Sequence, residues 1–361
     1  LSQKSINLKQ SKTYIYFLLS GLTIIILSFA CANGRLGGDW AVSRTQIAEG
    51  EGNGDIPAIN NPKFTKAKEV SFLTDSSIII GMKVGTTIRA YPLIIMDWHE
   101  VVNDWVDTLP IAMTYSALSG SSIGFDRRIK EQVLEFRVSG LLYNSNTIFN
   151  EFETFSDWSQ MLRKGIRGDF SEIALSDFSV FEMKWGKWKN LFPESEVLNL
   201  NTSYNRPYGT YPYGDYQTDA TKILFNLPLD ADSLNTILPL KEKILGVKIN
   251  EIVKGYRQTH FSAAGFSLIQ EEVNGESIII IGSNEFDSMI AYSAKTSDGQ
   301  THQFMLSETG DTVLLIDEEG NQWTIFGESV ENKDIRLQQL VSNTAYWFTW
   351  ATFYPEIEIF N

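Results

Sequence analysis

The chain has 361 residues, 44 of them acidic against 30 basic, and a formal net charge of −14. An acid excess of this size excludes a nucleic-acid binder, which needs clustered Lys and Arg, and it gains little from anionic lipid headgroups. Apolar residues at 43% suffice for a packed core, and a single cysteine excludes a disulfide framework.

Lys4, Lys9 and Lys12 precede an apolar run over residues 14–30, with no acid before it. A basic front, an apolar middle and small residues at the end read as a bacterial export signal over residues 1–30. Cys31 follows directly. Ser28-Phe29-Ala30-Cys31 resembles a lipoprotein signal, in which the cysteine is lipidated and becomes the new N-terminus. Ser28 stands where leucine is usual, with Leu27 one step early. Two alternatives stay open. Ala30-Cys31-Ala32 fits an A-x-A site that would release a soluble exported protein, and the 17-residue run is at the lower limit for an uncleaved membrane helix. Lipidation at Cys31 is the preferred reading. It places the protein in the bacterial cell envelope, anchored by lipid, at the outer membrane on either its periplasmic or its surface face. The membrane is then a partner through the N-terminal lipid. Loss of the leader removes three lysines and no acid, taking the charge from −14 to −17.

Residues 31–54 carry Gly34, Gly37, Gly38, Gly50, Gly52 and Gly54 with few large apolar residues, and read as a flexible tether. A first β-rich module spans 55–200, a tyrosine-rich insert and linker 201–237, and a second β-rich module 238–361. The first module opens with a hairpin signal, where segments 77–84 and 87–91 flank Gly85-Thr86. A short helix is expected over 93–103, and strands over 111–115 and 133–138. Trp185, Trp188 and Leu191 share a face at helical spacing. Further strands are expected over 278–281 and 312–316. Frequent short strands with turns between them predict a mainly β (β-rich α+β) fold of sandwiches or barrels with short helices.

The two modules resemble each other. Gly81-Met82-Lys83-Val84 through Ala90-Tyr91 aligns without a gap on Gly246-Val247-Lys248-Ile249 through Gly255-Tyr256. Ile111-Ala112-Met113 with Ser116 corresponds to Ile278-Ile279-Ile280 with Ser283, Phe136 to Phe304, and Trp158 to Trp323. An ordered series at a near-constant offset predicts an internal duplication, with copies at roughly 70–170 and 240–350. Between them, Tyr204, Tyr208, Tyr211, Tyr213 and Tyr216 fall within thirteen residues that also hold Pro207, Pro212, Gly209 and Gly214. This composition favours successive turns. Tyrosines there either line a ligand groove or pin the loop over the core by their rings.

The densest polar residues lie in the first copy. His99 is a candidate general base, since imidazole titrates near neutral pH. Glu100 is adjacent and diverges from it, so Asp126 or Asp104 is the better partner for His99 after folding. Ser116 and Tyr143 are candidates at the reacting group. A histidine hydrogen-bonded within the core is the plainer alternative. His260 and His302 form no spaced ligand motif with His99, so no metal site and no cofactor is predicted. Asn103, Asp104, Tyr115, Ser119, Arg127, Asn144, Asn146, Trp158, Tyr204, Arg206, Tyr208 and Asp215 are candidate ligand-binding residues. Gly120-Ser121-Ser122-Ile123-Gly124 matches G-x-S-x-G, but strand rather than helix is expected after it, which argues against a nucleophile elbow.

These residues also carry a family likeness. The segments are Ile56-Pro57-Ala58-Ile59, Tyr91-Pro92-Leu93, Trp98-His99-Glu100-Val101-Val102-Asn103-Asp104, Thr114-Tyr115 through Gly120-Ser121, and Phe125-Asp126-Arg127. Ser139-Gly140-Leu141-Leu142-Tyr143-Asn144-Ser145, Trp158-Ser159-Gln160 and Trp347-Phe348-Thr349-Trp350 complete them. From about residue 55 to 360 the chain resembles the bacterial domain of unknown function 3179 family. The resemblance implies an exported bacterial protein and supplies no activity or cofactor. It also implies cysteine where Ser116 stands, followed by proline at Ala117, and often cysteine or threonine at Ser119. Serine cannot exchange disulfides and is a poor metal ligand, so thiol chemistry at this place is absent from this chain.

The expectation is a membrane-anchored module that binds an unknown small molecule or glycan, and no nucleic acid, with its site in the first copy. The alternatives are an envelope enzyme using His99 with Asp126 or Glu100, and a structural or assembly lipoprotein.

Overall fold

The computed structural model describes residues 38–50, 56–225, 227–308 and 312–361. Cys31, the leader and residues 51–54 of the expected tether lie outside the described residues. Strand accounts for 44% and helix for 12%, so the fold is mainly β. Among the described residues there are four α-helices of about two turns each: α1 (Leu93–His99), α2 (Trp185–Leu191), α3 (Ala231–Ile237) and α4 (Trp347–Phe353). Among the described residues no helix is long and apolar enough to cross a membrane.

The first half opens with a hairpin of Ile78–Val84 and Thr87–Pro92, registered so that Val84 faces Thr87 and Ile80 faces Tyr91. Gly85 turns it at φ 56°, a value glycine reaches without strain. Helix α1 leads into a meander of Val101–Val106, Leu109–Ser116 and Ser121–Asp126. The helix expected over 93–103 thus stops at His99. Glu100 adopts φ 55° while its N–H still bonds Met96 O, and this left-handed residue redirects the chain into a strand. The strand expected over 133–138 is displaced to Phe136–Tyr143 because Gln132–Val133 closes a separate small hairpin with Arg128–Ile129.

The second half runs through a matching order. Its hairpin is Lys243–Ile249 with Ile252–Arg257, followed by a 3₁₀ turn at Gln258–His260 and a meander of Ser267–Val273, Glu276–Ser283 and Ser288–Thr296. Each hairpin is edged by a late strand that leads into a Trp-x-x-Trp helix. Phe181–Lys184 pairs with Ile78–Val84 and precedes α2. Val341–Tyr346 pairs with Lys243–Ile249 and precedes α4. A final strand then runs parallel to each hairpin, at Glu196–Leu198 and Glu358–Ile359. We keep the duplication read from the sequence as a proposal, and this element order is what speaks for it.

The halves share their cores. Trp185 and Trp188 of α2 join Ile281, Tyr292, Trp323 and Ile325 of the second half. Trp347 and Trp350 of α4 join Phe136, Phe149 and Trp158 of the first. A β-carbon on Gly81 would stand 2.1 Å from the Trp188 ring, and one on Gly246 would stand 2.2 Å from the Trp350 ring. Both positions therefore require glycine for close packing rather than for backbone freedom.

Residues 38–50 correct the expectation of a free tether there. Ile47–Glu49 pairs antiparallel with Leu141–Tyr143 at the edge of a five-stranded sheet. Trp40, Val42 and Ile47 pack on Leu141, Ile148 and Ile166. The glycines around these apolar residues obscured an edge strand.

Candidate functional site: a cavity beneath the tyrosine-rich insert

The insert lies across the ends of α1 and the turn at Ala117–Gly120. Three of its tyrosine hydroxyls donate into that region. Tyr211 reaches Ala117 O at 3.2 Å, Tyr213 reaches Glu100 Oε1 at 3.2 Å, and Tyr216 reaches Leu118 O at 2.7 Å. Trp98 Nε1 donates to Thr210 O at 3.0 Å. Between the insert, α1 and the hairpin of Phe136–Tyr143 with Asn146–Glu151 lies a cavity of about 670 Å³. Its walls include Leu118, Val138, Leu141, Leu142, Leu224 and Phe225. Its polar lining includes Asp97, Glu100, Thr147, Arg206 and Tyr213.

Glu100 is fully buried. Thr147 Oγ1 bonds its Oε2 at 2.8 Å and Tyr213 holds Oε1. Burial pushes its carboxyl up to about 7, against the two hydrogen bonds, which act downward. Asp97 lies three residues earlier, in the last turn of α1, and lines the same cavity. Burial pushes it up to about 8; Glu100 and Glu182 add to the shift, and Lys243 opposes it. Its Oδ1 is buried and takes no hydrogen bond.

Behind Glu100 runs a buried polar layer. Thr147 Oγ1 is 3.0 Å from Ser116 Oγ, and Thr147 N donates to the same oxygen at 3.3 Å. Asn146 Nδ2 lies 2.9 Å from Ser119 Oγ, 3.0 Å from Ser121 Oγ and 2.8 Å from Gln160 Oε1. Gln160 Nε2 donates to Thr114 Oγ1 at 2.9 Å. The Ser139 to Ser145 motif supplies this layer by forming a hairpin. Asn144 and Ser145 are its two turn residues, at φ 51° and 62°, which is the left-handed pair that a tight hairpin demands. Asn146 and Thr147 then enter the layer from the returning strand. Ser122, the centre of the G-x-S-x-G match, lies within strand Ser121–Asp126 and donates to Glu182 Oε1 at 2.7 Å.

His99 belongs to a different structure. Its Nδ1 is 2.7 Å from Pro57 O, which can only accept, so Nδ1 carries the proton. Nε2 then accepts from Tyr208 OH at 2.6 Å. Its ring packs on Tyr204 and Tyr208. Burial lowers its pKa, and the Arg206 charge adds to this while the Pro57 bond opposes it. A neutral imidazole with both nitrogens engaged works as a clamp on the insert. Asp126, the expected partner, instead chelates Arg128 Nε at 3.0 Å from each carboxylate oxygen. Glu100 points to Thr147 and Tyr213, and Ser116 to Thr147. The expected grouping of His99 with Asp126 and Ser116 is therefore not the one these side chains make.

The remaining candidates sort by their partners. Asn103 ties Asn60 to both the N–H and the C=O of Phe136. Asp104 takes Arg89 Nη1 and Tyr91 OH on one oxygen, each at 2.6 Å. Arg127 donates to the carbonyls of Ile111, Leu134 and Asp104. Trp158 is a core ring edge-on to Phe136. Tyr143 lies edge-on to Phe353, 3.4 Å from Gln46 Oε1. Asp215 pairs with Lys222 in solvent. Tyr115 is buried near Asp97 with no partner for its hydroxyl. Arg206 lines the cavity with its guanidinium 5.7 Å over the Trp98 ring. The sequence reading missed Asp97, Thr147 and Gln160. The one available signal was the presence of two carboxyl groups three residues apart in a largely apolar stretch.

The family described as protein of unknown function (DUF3179) matches residues 53–357, which leaves out only the edge strand Ile47–Glu49 and the final strand Glu358–Ile359 of the elements described above. The chain belongs to the DUF3179 family. No curated protein and no solved structure matches it. The DUF3179 match includes α1, the polar layer, the insert and both Trp-x-x-Trp helices. Among the described residues, no group of three or more His, Cys, Asp or Glu side chains is placed to hold a metal ion.

Proposed function

We propose that this DUF3179 protein is a lipid-anchored protein of the bacterial cell envelope that binds a small organic ligand in the cavity of its first half. The envelope address is supported by the basic and apolar leader and by Cys31 directly after it. Binding is supported by one observation above the others. A cavity of about 670 Å³ combines an apolar wall with a few convergent polar groups, as small-molecule sites do. The insert is fastened over it by tyrosine hydroxyls on fixed acceptors, so the cavity is preformed and little ordering free energy is lost on binding.

The test is a thermal-shift screen with glycans, peptides and small metabolites. Leu142→Trp, which fills the cavity, serves as the control. A ligand that raises the melting temperature of the parent protein and not of the filled variant supports the proposal. Absence of any shift across a broad panel overturns it.

A further inference from the structure

We propose that the anchoring end of the ligand is an organic cation, a protonated amine or amidine, held between the carboxyl groups of Asp97 and Glu100. The inference rests on the cavity being the binding site.

Asp97, in the last turn of α1, and Glu100, the left-handed residue that ends it, line the same cavity. Their surroundings differ in one respect. Glu100 is bonded by Thr147 and Tyr213, whereas Asp97 Oδ1 is buried with no donor. A buried acceptor without a partner is costly, and an N–H donor arriving with the ligand removes that cost. The charge balance points the same way. Asp97 is faced by Glu182 from strand Phe181–Lys184, Lys243 from strand Lys243–Ile249, Tyr115 from strand Leu109–Ser116, Tyr346 from strand Val341–Tyr346, and Tyr211 and Tyr213 from the insert. Lys243 is the basic group of that set, and it is ion-paired with Glu182. Arg206 also lines the cavity, but its guanidinium lies over the Trp98 ring and is not among the charges that act on either carboxyl group, so Asp97 and Glu100 have no cation set against them there beyond Lys243. Leu118, Val138, Leu141, Leu142 and Phe225 complete the wall with hydrocarbon. The complement of this surface is a small amphipathic amine.

Burial keeps both carboxyl groups substantially protonated at neutral pH. An incoming ammonium group favours their ionised form and therefore displaces protons into solution. An alkylamine stays charged up to about pH 10, so its affinity rises between about pH 6 and pH 9.

Isothermal calorimetry on the whole chain tests this with benzylamine against benzyl alcohol and benzoate. The expected result is that the amine binds, at least about tenfold more tightly at about pH 9 than at about pH 6, with proton release read from the dependence of the heat on buffer ionisation enthalpy. Asp97→Asn should weaken the amine about tenfold or more, and Leu142→Trp should abolish binding. Alcohol or benzoate binding as well as the amine, with loss in Leu142→Trp only, overturns the cation while the cavity stands. Amine binding without proton release does the same, and that measurement needs no variant. No binding of any of the three probes overturns the cation proposal, and the screen above then decides the cavity on its own.

Discussion

His99 and Glu100 are neighbours in the chain, yet they hold two different tyrosines of the insert. His99 Nε2 accepts from Tyr208 and Glu100 Oε1 from Tyr213, because the left-handed backbone at Glu100 turns the two side chains apart. The insert is thereby gripped at two points five residues apart. One grip is a neutral imidazole. The other is a carboxyl that titrates near neutrality.

The imidazole grip gives the first prediction. His99→Phe leaves Pro57 O and Tyr208 OH without their partner, and should cost about 2 kcal/mol. It should also speed proteolysis within residues 202–216. Asp126→Asn disturbs only a pairing with the exposed Arg128 and should cost less than about 1 kcal/mol. Urea denaturation with limited proteolysis compares the two. Equal effects would show that His99 does not fasten the insert.

The raised carboxyl groups give a pH dependence. Asp97 stands at about 8 and Glu100 at about 7, above their ordinary values of 3.8 and 4.5. A carboxyl raised by folding favours the folded state while protonated. Its contribution is full below the ordinary value and is lost as the pH climbs to the raised one. Stability should therefore decline between about pH 5 and pH 8, and Asp97→Asn should flatten that decline. Parallel profiles for parent and variant would refute this reading.

The close approaches at Gly81 and Gly246 give a third prediction. Alanine at either position drives a methyl group into a buried tryptophan ring and should cost about 3 kcal/mol or more. Gly209→Ala meets nothing within 4 Å and carries only the strain of φ 94°, about 1 kcal/mol. Denaturation midpoints of the three variants decide whether the two glycines are packing positions.

Asp104 gives a fourth. Its carboxylate is buried against Arg89 and Tyr91, and Asp104→Ala leaves the Tyr91 hydroxyl without its acceptor and the guanidinium with only the more exposed Glu196. The expected loss is about 2 to 3 kcal/mol. A loss below about 1 kcal/mol would mean that solvent replaces the carboxylate, and that the pair behaves as a surface one.

Much of the framework could be read from residue pattern. The glycine at 85 marked the first hairpin, and Trp185, Trp188 and Leu191 marked α2. These signals are local, so a single sequence carries them. Helix α1 was drawn too long because Val101 and Val102 continue an apolar run, and nothing in that run announces the left-handed turn at Glu100. The site was less legible. His99 stood out as a rare titratable residue, yet its role follows from Pro57 and Tyr208, which lie far away in sequence. Asp97 was hidden between Met96 and Trp98, and only the cavity beside it gives it significance. Thr147 and Gln160 are ordinary residue types whose meaning is wholly tertiary.

The exchange of tryptophan helices between the halves also sets an order in time. Ala58 and Trp350 belong to one hydrophobic cluster, so the core begun near the start of the described chain lacks its central rings until α4 has been synthesised. A nascent chain that has completed only the first half has Trp158 and Phe136 waiting for partners nearly two hundred residues downstream. Stable closure of the first core thus waits for α4, so the two halves are expected to gain their stability together rather than one after the other.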